Sequence, residues 1–186
     1  MINLKSLILN LKSNKGFTLL ELVVVVAVLA IISVTVLTVL NPIAQFQKAN
    51  DGKIKSDLAQ IQRAMESYYQ DTGRYPNFAT GTDGKQYEIQ TIADPNVGNA
   101  WGDPWTPYMD FLPKSPGYPA RTYVYYSTDN GQSYYLYANL ERGVYDSQAC
   151  NKGNACESLS SNGIPDNQCG GTGGCNYGVA SPNVNP

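Results

Sequence analysis

The sequence contains no histidine, which excludes Ser-His-Asp and Cys-His catalysis and any metal site built on imidazole ligands. It also lacks the P-loop lysine motif and the dinucleotide-binding fingerprint, so a motor ATPase or an oxidoreductase has no support. The 15 acidic residues are scattered over turns, and no pair of them indicates the paired carboxylates of a glycosidase. We therefore expect a protein that is not an enzyme.

Basic charge is equally scarce. The net side-chain charge of the chain is −2, and without the three lysines of residues 1–16 the remaining 10 basic and 15 acidic residues give −5. Nucleic-acid binding proteins present a basic field to the phosphate backbone, and this sequence has none. Nucleic acid is therefore not expected as the primary partner.

Residues 17–40 form an apolar run of 24 residues in which only five side chains carry polar atoms, namely Thr18, Glu21, Ser33, Thr35 and Thr38. As a helix, the run measures about 36 Å, which exceeds a hydrocarbon core of about 30 Å. The run therefore predicts a single membrane-spanning helix near the N-terminus.

The flanks of this run predict its orientation and its fate. Lys5, Lys12 and Lys15 precede it, and the positive-inside rule places that side in the cytoplasm. Everything after Leu40 then begins outside the inner membrane. Residues 40–44 offer no small-residue site of the kind that signal peptidase cuts, so we expect the apolar segment to be retained.

Glu21 is the one ionisable side chain in the run. A carboxylate at the centre of a membrane helix costs about 2.5 to 3.5 kcal/mol, and less toward an end, so a bilayer alone gives no reason to keep it. If the chain is cut after Gly16, Phe17 gains a cationic amine. Glu21 of one copy can then pair with the Phe17 amine of the next, provided that the subunits are stacked with an axial offset.

Residues 15–21, with the sequence KGFTLLE, and the apolar tail that follows resemble the class III signal of type IV pilins and type II secretion pseudopilins. The resemblance implies that a prepilin peptidase cuts after Gly16 and methylates the new amine of Phe17, giving N-methylphenylalanine. It also implies that Glu21 is the carboxylate that helps to assemble the filament. The alternative interpretation is an ordinary signal anchor with a glutamate near the membrane interface.

A second helix follows the apolar run. Pro42 removes one helical hydrogen bond and restricts Asn41, which predicts a kink or a short break. Apolar side chains then recur at helical spacing on one stripe, at Ile54, Leu58, Ile61, Met65 and Tyr68. We expect this stripe to hold a head domain onto the helix, with a coiled-coil partner as the alternative. Gly73 and Pro76 predict that the helix ends near Thr72.

The exit from this helix carries a second resemblance. Residues 68–76, with the sequence YYQDTGRYP, are similar to the helix exit of major pseudopilins and many related pilins. Residues 101–105, with the sequence WGDPW, resemble the loop that follows the spine helix in major pseudopilins. A simpler interpretation of the same loop is that Trp101 and Trp105 fill the base of the head.

The β signal lies in three stretches. Residues 123–128 and 133–140 flank the turn formers of 129–131 and predict an antiparallel hairpin. Residues 85–92 show enough alternation for a short strand, which predicts a three-stranded sheet with one face against the helix stripe. We interpret most of the 14 tyrosines as half-buried strand residues rather than as ligand contacts.

All the cysteines lie in the last 37 residues, at Cys150, Cys156, Cys169 and Cys175. Their even number and extracytoplasmic placement favour two disulfides. Their spacing lacks the C-x₂-C pairs common in structural zinc sites, so no metal site is expected. Of the three possible connectivities, we favour two local loops, Cys150 with Cys156 and Cys169 with Cys175. No helix or strand period is visible in this region, which we interpret as a stapled loop.

Calcium is the cofactor to consider, because some major pseudopilins bind it near the loop between sheet and tail. Residues 129–131 do not complete a calcium-binding loop of the EF-hand type. Asp146, Asn151 and Asp166 form no recognisable series of ligands. We therefore expect no cofactor.

Together, the patterns and the resemblance predict an α+β, type IV pilin-like fold, in which a long N-terminal transmembrane spine helix packs on a small antiparallel sheet with a disulfide-stapled C-terminal loop region. The expected segments are a cleaved leader peptide at 1–16, a transmembrane and assembly helix at 17–41, the outer half of the spine helix at 42–72, a head with a β-hairpin at 73–140 and a tail rich in Cys, Gly and Asn at 141–186.

The expected function is that of a structural subunit in an extracytoplasmic type IV pilus-like filament. Its partners are other pilin subunits, the prepilin peptidase and an inner-membrane assembly platform. The precursor is expected in the inner membrane as a single-pass protein, and the product in a cell-surface pilus or a periplasmic pseudopilus. Two alternatives stay open: the major pseudopilin of a type II protein secretion system, and a monomeric membrane-anchored extracellular binding module.

Overall fold

The computed structural model describes residues 16–128 and 130–186. Residues 1–15 of the expected leader and Asp129 of the expected hairpin turn lie outside the described residues. The chain divides into two units, the second of which spans Ile43–Pro186. The long apolar helix belongs to the first unit, and the head belongs to the second.

Helix α1 spans Leu19–Leu40 and confirms the predicted apolar helix. Within it, the hydroxyl of Ser33 donates to the carbonyl of Leu29 at 2.7 Å, so this polar side chain is satisfied inside the helix. Asn41 follows in the left-handed conformation, with φ 39°. The predicted break before Pro42 is therefore present, and it lies at Asn41.

Helix α2 spans Pro42–Thr72 and ends where the sequence predicts. Gly73 adopts a φ of 73°, and its N–H donates to the carbonyl of Tyr69 at 2.8 Å, which closes the last turn. The predicted stripe is confirmed as the buried face of α2. Its members are all less than a tenth exposed: Ile54, Leu58, Ile61, Met65 and Tyr68.

The main sheet has three antiparallel strands in the order β3-β4-β5. Strands β3, Val124–Thr128, and β4, Ser133–Ala138, form the predicted hairpin. The prediction of the third strand was wrong. That strand is β5, Tyr177–Ala180, which comes from the tail and pairs with β4.

Residues 85–92 instead contribute only β2, Glu88–Ile89, which pairs with β1, Phe78–Ala79, in a separate two-stranded sheet. Tyr87 adopts a φ of 62°, and this left-handed residue interrupts the extended chain directly before β2. The alternation that we interpreted as one longer strand is therefore cut short by backbone geometry.

The main core lies between α2 and one face of the three-stranded sheet. Tyr125, Tyr134 and Leu136 each have no exposed surface and pack with the α2 stripe. Trp101 and Trp105 are each 1% exposed and belong to the same cluster, and the Trp105 indole donates to the carbonyl of Gln90 at 3.1 Å. The interpretation of the tryptophans as core residues is confirmed.

The opposite face of the sheet is covered by the tail. Successive strand residues point to opposite faces, so Val124 and Tyr137 lie away from α2. They form a second core with residues of the tail: Cys156, Leu159, Ile164, Cys169 and Cys175. The disulfides join Cys150 to Cys156 and Cys169 to Cys175, which are the two favoured local loops.

The tail also contains regular structure, contrary to the sequence interpretation. Besides β5 it forms a short helix, α3, Glu157–Ser161. The first residues of the tail are held to α2. The buried Asp51 carboxylate on α2 accepts hydrogen bonds from the N–H groups of Glu141 at 2.7 Å and Arg142 at 3.0 Å. The tail is therefore an integral layer of the head.

One buried carboxylate in the head is unusual. Glu88 on β2 is 0% exposed, and among the described residues neither of its oxygens has a hydrogen-bond partner. Burial, with a smaller effect from the nearby Asp83 carboxylate, raises the pKa of Glu88 from 4.5 to about 8. The folded head therefore keeps a proton on Glu88 at pH values where the unfolded chain has lost it.

This proton makes head stability depend on pH. The contribution is fully present below the unfolded pKa of 4.5 and is lost as the pH rises through about 8. We expect the free energy of unfolding of the parent protein to fall relative to that of Glu88→Gln as the pH rises from 5 to 9, because glutamine does not titrate. Thermal unfolding of the full chain in detergent micelles, followed by near-UV circular dichroism, measures the difference. The exposed Glu157→Gln is the control, and parallel pH profiles for Glu88→Gln and its parent would contradict the prediction.

Candidate site for processing and assembly

The first turn of α1 is closed by a reciprocal cap. Thr18 lies before the helix in an extended conformation, with φ −77° and ψ 151°, and its hydroxyl accepts the N–H of Glu21 at 3.2 Å. In return, the Glu21 carboxylate accepts the Thr18 N–H and the Thr18 hydroxyl, both at 2.9 Å. This arrangement is a capping box, in which residues three apart satisfy each other's free helix groups.

The cap fixes the Glu21 carboxylate at the positive end of the helix dipole, where negative charge is favoured. Both bonds from Thr18 end on Oε2 of Glu21. A carboxylate has about four acceptor positions, so Oε1 can still take a donor from another molecule. The carboxylate is thus held in place and keeps capacity for an intermolecular partner.

Gly16 and Phe17 precede the cap outside the helix, and both are exposed. The Phe17 side chain is 88% exposed, and nothing lies within 4 Å of the position that a side chain on Gly16 would occupy. A peptidase needs an accessible peptide bond, and both residues of the Gly16–Phe17 bond are exposed. Gly16, Phe17, Thr18 and Glu21 therefore lie within six consecutive residues at the start of α1.

Thr18 is the residue whose contribution the sequence interpretation missed. In the sequence pattern it is only a polar interruption of the apolar run. Threonine followed three residues later by glutamate, directly before apolar residues, is the sequence signal of a capping box. That signal was present in residues 18–21 and predicts the observed contact.

The remainder of α1 presents apolar side chains on all sides. Large hydrophobic residues from Phe17 to Val36 are between 47% and 88% exposed, and no residue in the window Leu19–Val36 is buried. That window is long and apolar enough to cross a membrane. A helix that is hydrophobic all round belongs in a bilayer or in the core of an assembly.

The described residues of the head do not form a metal site. Within residues 16–128 and 130–186, no group of three or more Asp, Glu, Cys or His side chains is placed to hold a metal ion. The cysteines are all engaged in disulfides. The N-terminal turn is therefore the site on which the functional argument rests.

Residues 11–37 match the family model of the prokaryotic N-terminal methylation motif, so the chain carries that motif at the site described above. The motif is characteristic of type IV pilins and pseudopilins, and it supports a pilin-like or pseudopilin precursor. It indicates a structural subunit that is processed by a prepilin peptidase and polymerises. Comparisons with curated proteins and with solved structures return no match.

The capping box yields a direct test. Thr18→Ala removes both hydrogen bonds of the Thr18 hydroxyl and leaves the bond from the Thr18 N–H to the Glu21 carboxylate, and loss of such a cap costs about 1 kcal/mol. We expect amide hydrogen exchange at Glu21 to become about five times faster in micelles, because the local opening free energy falls by that amount. Thr18→Ser keeps the hydroxyl and is the matched control. Unchanged exchange in Thr18→Ala would show that the box does not hold the first turn.

Proposed function

We propose that this protein is the structural subunit of a type IV pilus-like filament, processed after Gly16 and assembled through α1. The observation that supports the proposal most strongly is an apolar helix with no buried residue in its membrane-length window and a capped carboxylate in its first turn. The methylation motif lies on the same residues. The head by itself does not require such a helix, because its own core is complete.

The chemistry of processing supplies the partner that Glu21 lacks in the membrane. Cleavage of the Gly16–Phe17 bond creates an amine at Phe17, and methylation keeps that amine cationic. In a stack of subunits, the amine of one copy lies beside Glu21 of its neighbour, and the two charges neutralise each other in an apolar surrounding. Because an unpaired charge is costly there, the pair selects one axial offset between subunits.

The apolar surface of α1 supplies the remaining driving force. In the inner membrane its side chains contact lipid, and in the filament they contact the same helix of neighbouring subunits. Helix packing in both places is dominated by van der Waals contact, so extraction from the bilayer exchanges one apolar surrounding for another. The pair between Glu21 and the Phe17 amine then sets the axial offset between subunits. The apolar contact between the helices supplies the affinity of one subunit for the next.

A pseudopilus is the second candidate, favoured by a specific observation. Residues 73–76, with the sequence GRYP, close α2 with a left-handed Gly73 and a buried Tyr75, and this exit is similar to that of major pseudopilins. A short periplasmic pseudopilus that pushes folded proteins across the outer membrane uses the same assembly chemistry. The two candidates differ in filament length and location, and both depend on Glu21.

The assembly mechanism is tested with a pair of variants in α1. We expect Glu21→Ala to abolish filaments while the processed subunit still accumulates in the inner membrane, because the intersubunit charge pair is lost while the Thr18 hydroxyl can still accept the N–H of residue 21. Ser33→Ala removes a polar group that is satisfied inside the same helix, and we expect normal filaments from it. Electron microscopy and immunoblotting of membrane and filament fractions measure both results. Normal filaments from Glu21→Ala would refute the mechanism.

A further inference from the structure

Four aromatic rings form a half-exposed surface on the side of the sheet that faces away from α2. They are Phe78, Tyr87, Tyr126 and Tyr135, here called the outer aromatic patch. Tyr126 and Tyr135 are directly opposed across the β3-β4 pair. The Phe78 ring centroid lies 4.7 Å from that of Tyr126 and 5.6 Å from that of Tyr87. The patch is therefore continuous from β1 to β4.

This patch differs from the other tyrosines of the sheet. Tyr125 and Tyr134 point to the opposite face and are fully buried against α2. The tail covers the neighbouring Val124 and Tyr137 but leaves the four rings of the patch partly open. Among the described residues, the hydroxyls of Tyr87, Tyr126 and Tyr135 make no hydrogen bond to another part of the head. Internal hydrogen bonding therefore does not explain their position.

Tyr87, one of the four residues of the patch, has a left-handed backbone conformation. A left-handed φ of 62° is rare and strained for a bulky residue. The conformation is held in place because the carbonyl of Tyr87 accepts the N–H of Tyr125 at 2.7 Å. Strain of this kind is concentrated at binding sites, and here it sets a tyrosine ring beside Phe78.

Two cavities flank Phe78, with volumes of about 430 Å³ and 300 Å³. Both lie at the lower end of the range for small-molecule sites. The larger is lined by the amides of Asn77, Asn96 and Asn130 together with hydroxyl residues of β3, and the smaller by Gln86 and Tyr87. None of the described residues that line either cavity carries a charge.

We propose that the outer aromatic patch and the larger cavity bind a neutral carbohydrate. A sugar ring has an apolar C–H face, which packs on an aromatic ring, and a rim of hydroxyls, each of which donates and accepts hydrogen bonds. Phe78, which is 38% exposed and lines both cavities, provides the first surface, and side-chain amides, which carry both donors and acceptors, provide the second. A nucleic acid requires cationic side chains for its phosphates, and the described lining has none.

A proline-rich peptide is the competing occupant, because such peptides also dock on aromatic grooves. It carries few hydrogen-bond donors, since proline has no N–H, so it leaves the acceptor oxygens of the lining amides unmatched. The lining chemistry therefore favours the sugar. The site lies wholly within the head and does not depend on filament assembly, so its test uses the unassembled chain.

The test is isothermal titration of the full chain in lauryldimethylamine oxide micelles, a detergent without a sugar headgroup. The probes are cellohexaose, maltohexaose and chitohexaose, with a proline decapeptide as the competing probe. We expect saturable binding of at least one oligosaccharide and none of the peptide. Binding of the peptide alone, or of none of the four probes, overturns the proposal.

Variants then locate the site. Phe78→Ala is expected to weaken oligosaccharide binding about tenfold, the effect of about 1.4 kcal/mol of lost stacking. Asn96→Ala, on the exposed rim of the cavity, is expected to weaken it severalfold without touching an aromatic ring. Tyr145→Ala is the matched control, because that tyrosine is 81% exposed and lies outside both cavities. If Tyr145→Ala weakens binding as much as the two site variants, or if neither site variant has an effect, the binding site lies elsewhere and the proposal fails.

Discussion

The structure depends on one constraint: among the described residues, the apolar helix α1 of 22 residues buries none of its window Leu19–Val36. Exposing its apolar side chains to water costs about 25 cal/mol of free energy for each Å². The helix therefore requires lipid or other copies of itself around it. Glu21 adds a second condition, since its charge is tolerated only beside a donor. In the proposed filament, these two conditions make the membrane anchor an assembly element with one axial register.

The head satisfies its own requirements. Helix α2 covers one face of a three-stranded sheet, and the tail covers the other, so both faces of a small sheet are buried. Each local disulfide loop restricts the unfolded chain by about 2 kcal/mol, which helps a tail that is rich in glycine and asparagine to keep one conformation. The same layer leaves one corner of the sheet open, where the outer aromatic patch lies.

The parts that the sequence predicted are those with a strong local signal. The helical spacing of apolar residues from Ile54 to Tyr68 predicted the buried face of α2. The tyrosine-rich stretches on either side of a turn predicted β3 and β4. The third strand was missed because Tyr177–Ala180 has too few residues to show a period, and only its pairing with β4 makes it a strand. The strand expected at 85–92 failed because Tyr87 turns left-handed, which tertiary contacts impose. At the N-terminal site, the roles of Gly16, Phe17 and Glu21 in processing and assembly stay predictions, whereas the role of Thr18 as cap was overlooked.

The most direct test of the filament account is the identity of the N-terminal peptide in sheared surface material. Mass spectrometry of that fraction distinguishes an intact leader, a chain that begins at Phe17 and a chain that begins at methylated Phe17. The account predicts that polymer contains only chains with a methylated Phe17, because the amine that pairs with Glu21 exists only after cleavage. Polymer built from subunits that still carry residues 1–16 would contradict it.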